Sequence, residues 1–412
     1  MKTVETDLLI VGGGVAGSAL ACALRDSGYW VVLVEQRTGR LDTARGDHLQ
    51  PCTVDALARW GVLPRFYERG AGRRLGHEFR SQTGESLLRA DYSELPIPHP
   101  YFLVYDHDLI SETFLDLASE GSNFDLFRPA VARDFKVVEG RIRSLKIRAD
   151  GEDVLIKPHI VVGADGSNSI VRSALDFATF EHAYHHPVVV LLSPRPTRLV
   201  PDNYFFRYSG PDGVLGIHQR MDGQIKITLP IGAEGIPWWK KSSKEDRACA
   251  LGRRADILKG CDSTVAGFYA ARMIRAVDNV SGNVVLVGDA AHSIHPARGQ
   301  GLNMGIANLQ QLIDCLPDVA EVSRAEKVRQ ALLHYQGQLR PLLDRTINRH
   351  HQAATEMDVD MGAGTEGAAL ICKHNQKIRE INARPELRRM HLLEVTGYPF
   401  GAPSEAEPDY LA

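Results

Sequence analysis

Apolar residues gather in short continuous runs that end in glycine. The run at residues 7–11 (DLLIV) stops at Gly12, and residues 15–25, rich in alanine and leucine, repeat apolar positions as a helix does before Gly28. A second apolar run occupies 30–34, so the chain opens as strand, helix, strand, the unit of a buried parallel sheet. Runs at 159–162 and 283–287 also end in glycine, at Gly163 and Gly288. Helical spacing predicts helices over 54–60, 109–118, 302–316 and 326–348. Between 135 and 161 the pattern alternates in short pieces separated by Glu139-Gly140 and Asp150-Gly151, both turn pairs, which predicts an antiparallel meander.

The runs at 187–192, 204–208, 214–218 and 225–229 are short and β-rich, divided by Pro211-Asp212-Gly213 and Asp222-Gly223. They predict a second, antiparallel sheet, with a helix over 244–258. Three glycine-ended strands far apart in sequence can share one sheet only if another domain is inserted between them. The expected fold is therefore α/β: a split Rossmann-like domain from 1–75, 100–175 and 278–350, carrying an inserted antiparallel β-sheet substrate domain from 76–99 and 176–277. A C-terminal helical segment and tail fill 351–412. Residues 385–412 hold four prolines and read as an irregular, surface-wrapping or disordered tail.

Composition narrows the function. The 412 residues carry a net charge of −3, 44% apolar and 24% charged residues, so no long-range field draws in nucleic acid or anionic membrane. No apolar run reaches the ~18 residues that span a bilayer. The six cysteines show no CxxC pair. This pattern suits a reducing, cytoplasmic setting with thiols mostly buried as small hydrophobes.

Gly12, Gly14 and Gly17 fill a G-x-G-x-x-G pattern between strand and helix. Gly12 permits the tight turn, Gly14 lets a pyrophosphate approach the backbone, and Gly17 lets the helix pack on the strand. The amides that open the helix, around Val15 and Ala16, suit phosphate. Glu35, followed by Gln36, ends the next strand, where a carboxylate accepts from a free ribose 2′-hydroxyl and repels a 2′-phosphate. The pocket should take the AMP half of FAD or NAD. Two further stretches follow buried strands: VVGADGSNSIVR, with Asp165 and Arg172, and VVLVGDAAHSIHPARGQGLN, with Gly288, Asp289, Gly299 and Gly301. His292 and His295 are spaced i,i+3, but Pro296 breaks the element and no third ligand converges, so no metal is expected.

Together the three stretches resemble the FAD-dependent aromatic hydroxylases of the para-hydroxybenzoate hydroxylase type, over residues 5–350. The resemblance implies that Asp165 serves FAD and a passing NADH or NADPH. It implies that Asp289 holds the ribityl chain, that Pro296 lines the reaction chamber, and that Gly299, Gly301, Leu302 and Asn303 pack along the flavin. Arg45, in RGDHLQP, resembles an arginine close to the flavin. His107 and Asn308 stand where such proteins often have arginine and aspartate. The implied activity is hydroxylation of an aromatic or heteroaromatic small molecule by O2, through a flavin C4a-hydroperoxide. Epoxidation, N-hydroxylation and rearrangement use the same architecture, as do isoprenoid reductases or cyclases. A non-enzymatic FAD- or ligand-binding protein is the alternative outside catalysis. There is no WxWxIP of halogenases and no GxSxG of hydrolases.

Candidates for the substrate cavity lie in the inserted sheet. Tyr204, Phe205, Phe206 and Tyr208 alternate across its two faces, with Tyr204, Phe206 and His218 taken as lining it. Trp238-Trp239 suggests a lid or domain contact. No set of arginines demands a carboxylated substrate. A base that removes a phenolic or amine proton would activate the ring, and His48, His218 and His295 are the candidates.

Overall fold

The computed structural model describes residues 1–39, 47–296, 299–358 and 364–398. Its first sheet is ordered Val280–Ser281, Val284–Leu286, Glu152–Gly163, Lys2–Val11, Val31–Val34, Phe124–Phe127. The last five of these strands are parallel. Except in the edge strand Phe124–Phe127, their central residues are buried on both faces, as a sheet covered by helices requires. Helices Val15–Ala23, His107–Ser119 and Gly301–Cys315 cover one face. Ala130–Val138 and Arg141–Ala149 form the meander and pair onto the first half of Glu152–Gly163. Glu139, Gly140, Asp150 and Gly151 all have positive φ, the geometry that lets a two-residue turn follow the twist of its strands.

The second sheet has seven strands, ordered Thr264–Tyr269, Val188–Pro194, Gln224–Pro230, Gly213–Gln219, Tyr204–Gly210, Gly76–Ser81, Ser86–Asp91. Its back face buries Tyr204, Phe206, Ile217 and Ile227 against Trp239, Leu251 and Leu258. The helix expected over 244–258 is two pieces, Lys244–Gly252 and a short 3-10 turn Asp256–Leu258. Gly252 leaves room for the Lys259 side chain, 2.8 Å from where its Cβ would be. Trp238-Trp239 is not a lid: it lies in the helix Ile236–Lys241, with Trp239 in the back core and Trp238 exposed.

Helix Ala325–Met357 runs along the first domain. Gly364–Ala383 and Pro385–Thr396 then cover the front of the second sheet. The expected irregular tail is thus helical to Thr396, because Pro385 occupies a helix's first turn, where its missing N–H costs nothing. Residues 399–412 lie outside the described residues. The six cysteines are free: Cys22 and Cys52 are buried, Cys261 and Cys315 half-buried, and Cys249 and Cys372 exposed, so fewer are buried than expected. Among the described residues no helix is long and apolar enough to cross a membrane.

Candidate active site

The parallel strands all end at one edge of the first sheet, the edge where ligands bind in open α/β folds. There the three glycines of the first motif do different work. Gly12 has φ +108°, and a Cβ on it would lie 2.4 Å from the Ala164 carbonyl oxygen. A Cβ on Gly17 would lie 2.0 Å from the Gly12 oxygen, whereas one on Gly14 would meet no atom within 4 Å. Gly14 therefore faces open space, on the wall of the cavity described below. Glu35 accepts from the Gly13 amide at 2.6 Å and the Arg37 amide at 2.7 Å. Those bonds fix its carboxylate beside the glycine turn with acceptor capacity to spare.

The second motif is braced from within. Asp165 accepts from Ser169 Oγ (2.5 Å) and from the amides of Ile170 (2.7 Å) and Val171 (3.1 Å). Burial pushes its carboxyl above the usual range. Arg172 donates to the Ala290 and Ser167 carbonyls, riveting the second motif to the third.

A cavity of about 1290 Å³ runs from this edge to the front of the second sheet. It exceeds the ~1,000 Å³ at the upper end of ordinary ligand pockets, room for a dinucleotide and a second molecule. Gly12, Gly14, Val15, Ala16, Glu35 and Gln36 line one end. Gly288, Asp289, Pro296, Gly299, Gly301 and Leu302 line the middle, with Asp165 and His107, the first residue of its helix, also on the wall. Asn303 does not line it. Its amide is fully buried, accepting from Gln50 N (2.7 Å) and Thr53 Oγ1 (2.8 Å) and donating to the His48 and Gly299 carbonyls (3.0 Å each). It ties the His48 loop to the start of helix Gly301–Cys315. Asn308 donates to His292 Nε2 at 3.1 Å, a neutral amide facing an imidazole that burial keeps neutral, with a pKa pushed down to about 4. Arg45 lies outside the described residues.

The floor of the cavity corrects the parity of the aromatic strand. Tyr204 and Phe206 point into the back core, and Phe205, Arg207 and Ser209 face the cavity. Alternation was legible in the sequence; which face met the cavity depended on pairing with Gly76–Ser81, a strand 128 residues upstream of its partner. Also missed were Lys226, Thr228 and, from the C-terminal helices, His374, Lys377 and His391, all on the wall. Lys226, alone between Ile225 and Ile227, carried a signal: a charge in an apolar strand needs a buried partner or an open face.

That partner is Asp47. Lys226 Nζ lies 2.7 Å from Asp47 Oδ2, with both side chains almost wholly buried. Burial alone would raise the Asp47 pKa, but the Lys226 ammonium, then His48 and His218, hold it well below the usual range. His48 Nε2 is 3.6 Å from Asp47 Oδ1 and 3.4 Å from His218 Nδ1. His218 Nε2 is 3.1 Å from Thr228 Oγ1. Burial lowers His48 to about 4, partly offset by Asp47, and lowers His218 as well, reinforced by His48. Asp47, His48 and His218 keep ligand atoms within 4.8 Å of one another. The ammonium on Asp47 already supplies the positive charge that a metal would bring, so the group reads as an acid–base cluster. His295, with a pKa near 4 through burial, also lines the cavity, its ring 4.7 Å from that of Tyr184.

The family of FAD binding domains matches residues 5–350. The chain belongs to the FAD-binding family of group A flavoprotein monooxygenases, related to the aromatic hydroxylases. This monooxygenase depends on FAD and O2. It is 26% identical over 324 residues to YhjG of Bacillus subtilis (strain 168), described as an uncharacterized aromatic compound monooxygenase, spanning 75% of this chain and 61% of that protein. It is 24% identical over 365 residues to the 3-demethoxyubiquinol 3-hydroxylase of Escherichia coli (strain K12), covering 84% and 88%. In fold it is similar to p-nitrophenol 4-monooxygenase PnpA from Pseudomonas putida DLL-E4, with a TM-score of 0.80 and 19% identity over 97% of this chain and 99% of that one. The cleared space at Gly14, the fixed Glu35 carboxylate and the glycine-flanked edge fit the nucleotide of FAD.

Proposed function

We propose that this monooxygenase hydroxylates an aromatic or heteroaromatic small molecule, with NADH or NADPH as a transient reductant, and that His48 and His218 act as its acid–base pair. The relatives named above act on, or are described as acting on, aromatic or quinol-type compounds, which supports the substrate class. A docking rather than a resident role for the nicotinamide is supported by the one G-x-G-x-x-G pattern that follows a strand and opens a helix among the described residues, Gly12 to Gly17, which the FAD nucleotide would use. Bound FAD supplies the redox chemistry, taking two electrons from the nicotinamide and activating O2.

The chain's own part is to bind the ring, exclude water and move one proton. The observation that carries the reading is the His48–His218 pair, neutral at pH 7, set between the first domain and the floor of the second sheet. A neutral imidazole accepts the proton of a phenol or aromatic amine, pushing electron density into the ring as oxygen is transferred. The positive charge that forms is stabilised by Asp47, 3.6 Å from His48 Nε2, while Lys226 keeps Asp47 ionised. The proton is shared between two ring nitrogens 3.4 Å apart, and Thr228 anchors the far nitrogen of His218. Walls drawn from both domains around the cavity limit wasteful escape of activated oxygen.

The test is oxygen incorporation. Purified enzyme with bound FAD is screened with phenols and aromatic amines for stimulated NAD(P)H oxidation, and products are weighed by mass spectrometry with 18O2. A product heavier by one 18O atom is expected. His48→Ala should keep its FAD and lose most product formation; unchanged coupled turnover in that variant removes His48 from the mechanism.

A further inference from the structure

Two polar side chains leave the same short strand for the cavity. His48–Leu49 is a two-residue strand, and Gln50 continues it in an extended conformation (φ −67°, ψ 163°) before helix Pro51–Arg59. Alternation sends His48 and Gln50 to one side and Leu49, wholly buried, to the other. Both His48 and Gln50 line the cavity, and two residues of strand set their backbones about 6–7 Å apart. Asn303 locks that spacing, accepting from the Gln50 amide and donating to the His48 carbonyl. Phe102, also on the wall, neighbours both groups: its ring lies 4.9 Å from that of His48 and 5.9 Å from that of Tyr92, which bonds to Gln50.

The Gln50 side-chain amide is held at one end only. Tyr92 Oη donates to Gln50 Oε1 at 3.3 Å. The Tyr92 oxygen is then left to accept from His77 Nδ1 at 3.4 Å, and His77 Nε2 to accept from His391 Nε2 at 2.8 Å. Burial holds His77 well below the ordinary histidine value, so its ring is neutral and donates through one nitrogen while accepting through the other. This chain pins the oxygen of the Gln50 amide. Its Nε2 has no acceptor among the described residues, although only 7% of Gln50 is exposed and that residue opens on the cavity. A donor held in so dry a place is costly to leave unmatched.

We propose that Gln50 Nε2 donates to a carbonyl oxygen of the substrate while His48 faces its acidic O–H or N–H, so that the enzyme selects a phenol or aromatic amine that also carries a carbonyl group, its ring against Phe102. The inference rests on the aromatic-substrate reading above and adds a second anchoring point to it. An oxygen that only accepts matches a nitrogen that only donates. Gln50 thereby sets specificity, and Tyr92 is a positioning residue that acts through it.

Binding tests it on the oxidised, FAD-loaded enzyme, read from the flavin difference spectrum without reductant. The probes are 3- and 4-hydroxyacetophenone against 3- and 4-ethylphenol, in which a methylene replaces the carbonyl. An electron-poor phenol without a carbonyl, 4-(trifluoromethyl)phenol, controls for acidity. At least one ketone should bind about tenfold or more tightly than its ethyl partner, and 4-(trifluoromethyl)phenol should bind as the ethylphenols do. Gln50→Leu should erase the preference with FAD content unchanged, and Tyr92→Phe should weaken it several-fold. Equal binding of ketone and ethyl partner, no spectral response to either ketone at millimolar concentration, a preference shared by 4-(trifluoromethyl)phenol, or one undiminished in either variant overturns the proposal. Loss of FAD from Gln50→Leu also overturns it, since the amide then serves the cofactor. Because binding is read without turnover, absent hydroxylation with the ketone preference intact sinks the catalytic reading alone, and a lost preference with hydroxylation intact sinks this one alone.

Discussion

Replacing Lys226 with methionine removes the ammonium from a buried ion pair that joins the second sheet to the first domain. The methionine keeps most of the apolar stem, so packing changes little. What remains is a carboxylate, Asp47, with 2% of its side chain exposed and its 2.7 Å partner gone. Removing one member of a buried pair costs about 3–5 kcal/mol, because the other stays desolvated. The Asp47 pKa is depressed in the folded protein. The pair's contribution is therefore fully present above the unfolded carboxylate's value near ~3.9 and is lost as pH falls through the depressed folded value. At pH 7 the variant should show the whole loss. Urea unfolding followed by tryptophan and flavin fluorescence measures it, and a cycle with Asp47→Asn isolates the pair. The double variant should cost less than the sum of the single ones by about 2 kcal/mol or more. A loss under about 1 kcal/mol for Lys226→Met, or strict additivity, would refute the account of a desolvated pair.

The glycines of the first motif should separate binding from folding. Gly14→Val should give a folded protein that purifies colourless, and Gly17→Val should fail to fold, since its Cβ would lie 2.0 Å from the Gly12 oxygen; absorbance at the flavin band per mole of protein, with circular dichroism, reads both. The parity of the aromatic strand is tested by neighbours: Phe206→Ala should cost about 3–5 kcal/mol in unfolding experiments, whereas Phe205→Ala should alter substrate KM with a smaller stability loss. His48, His292 and His295, held near 4 by burial, bind protons more readily when unfolded. Stability should therefore fall as pH drops from the ordinary histidine value toward 4, by roughly 2 kcal/mol per site at pH 5. An unchanged urea midpoint between pH 7 and pH 5 would contradict their neutral burial.

The cofactor edge was legible because its signals are local: a glycine that must turn or make way follows each strand directly in sequence. The substrate chamber was not, because its walls are set by pairing between distant segments. Nothing local to Tyr204–Gly210 says that Phe205 rather than Phe206 faces the cavity; the neighbouring strands and the helices packed behind them decide it. Asn303, given a place along the flavin, instead spends its amide on four protein hydrogen bonds, a role visible only once Gln50 and Thr53 are brought beside it. His391 sat in a stretch whose prolines suggested irregularity, although Pro385 in fact begins a helix, while His374 and Lys377 sat in the C-terminal helical segment, to which no part of the site was assigned.

The strand Lys2–Val11 has as one lateral neighbour Glu152–Gly163, with Lys2 opposite Val154, and that strand's outer neighbour is Val284–Leu286. During synthesis the first glycine turn emerges from the ribosome long before either companion. Flavin capture must then be a late event in biogenesis, after the Gly288–Leu302 stretch has been translated. Nascent chains arrested upstream of that stretch should carry no yellow colour, which makes the pigment itself a reporter of completed assembly.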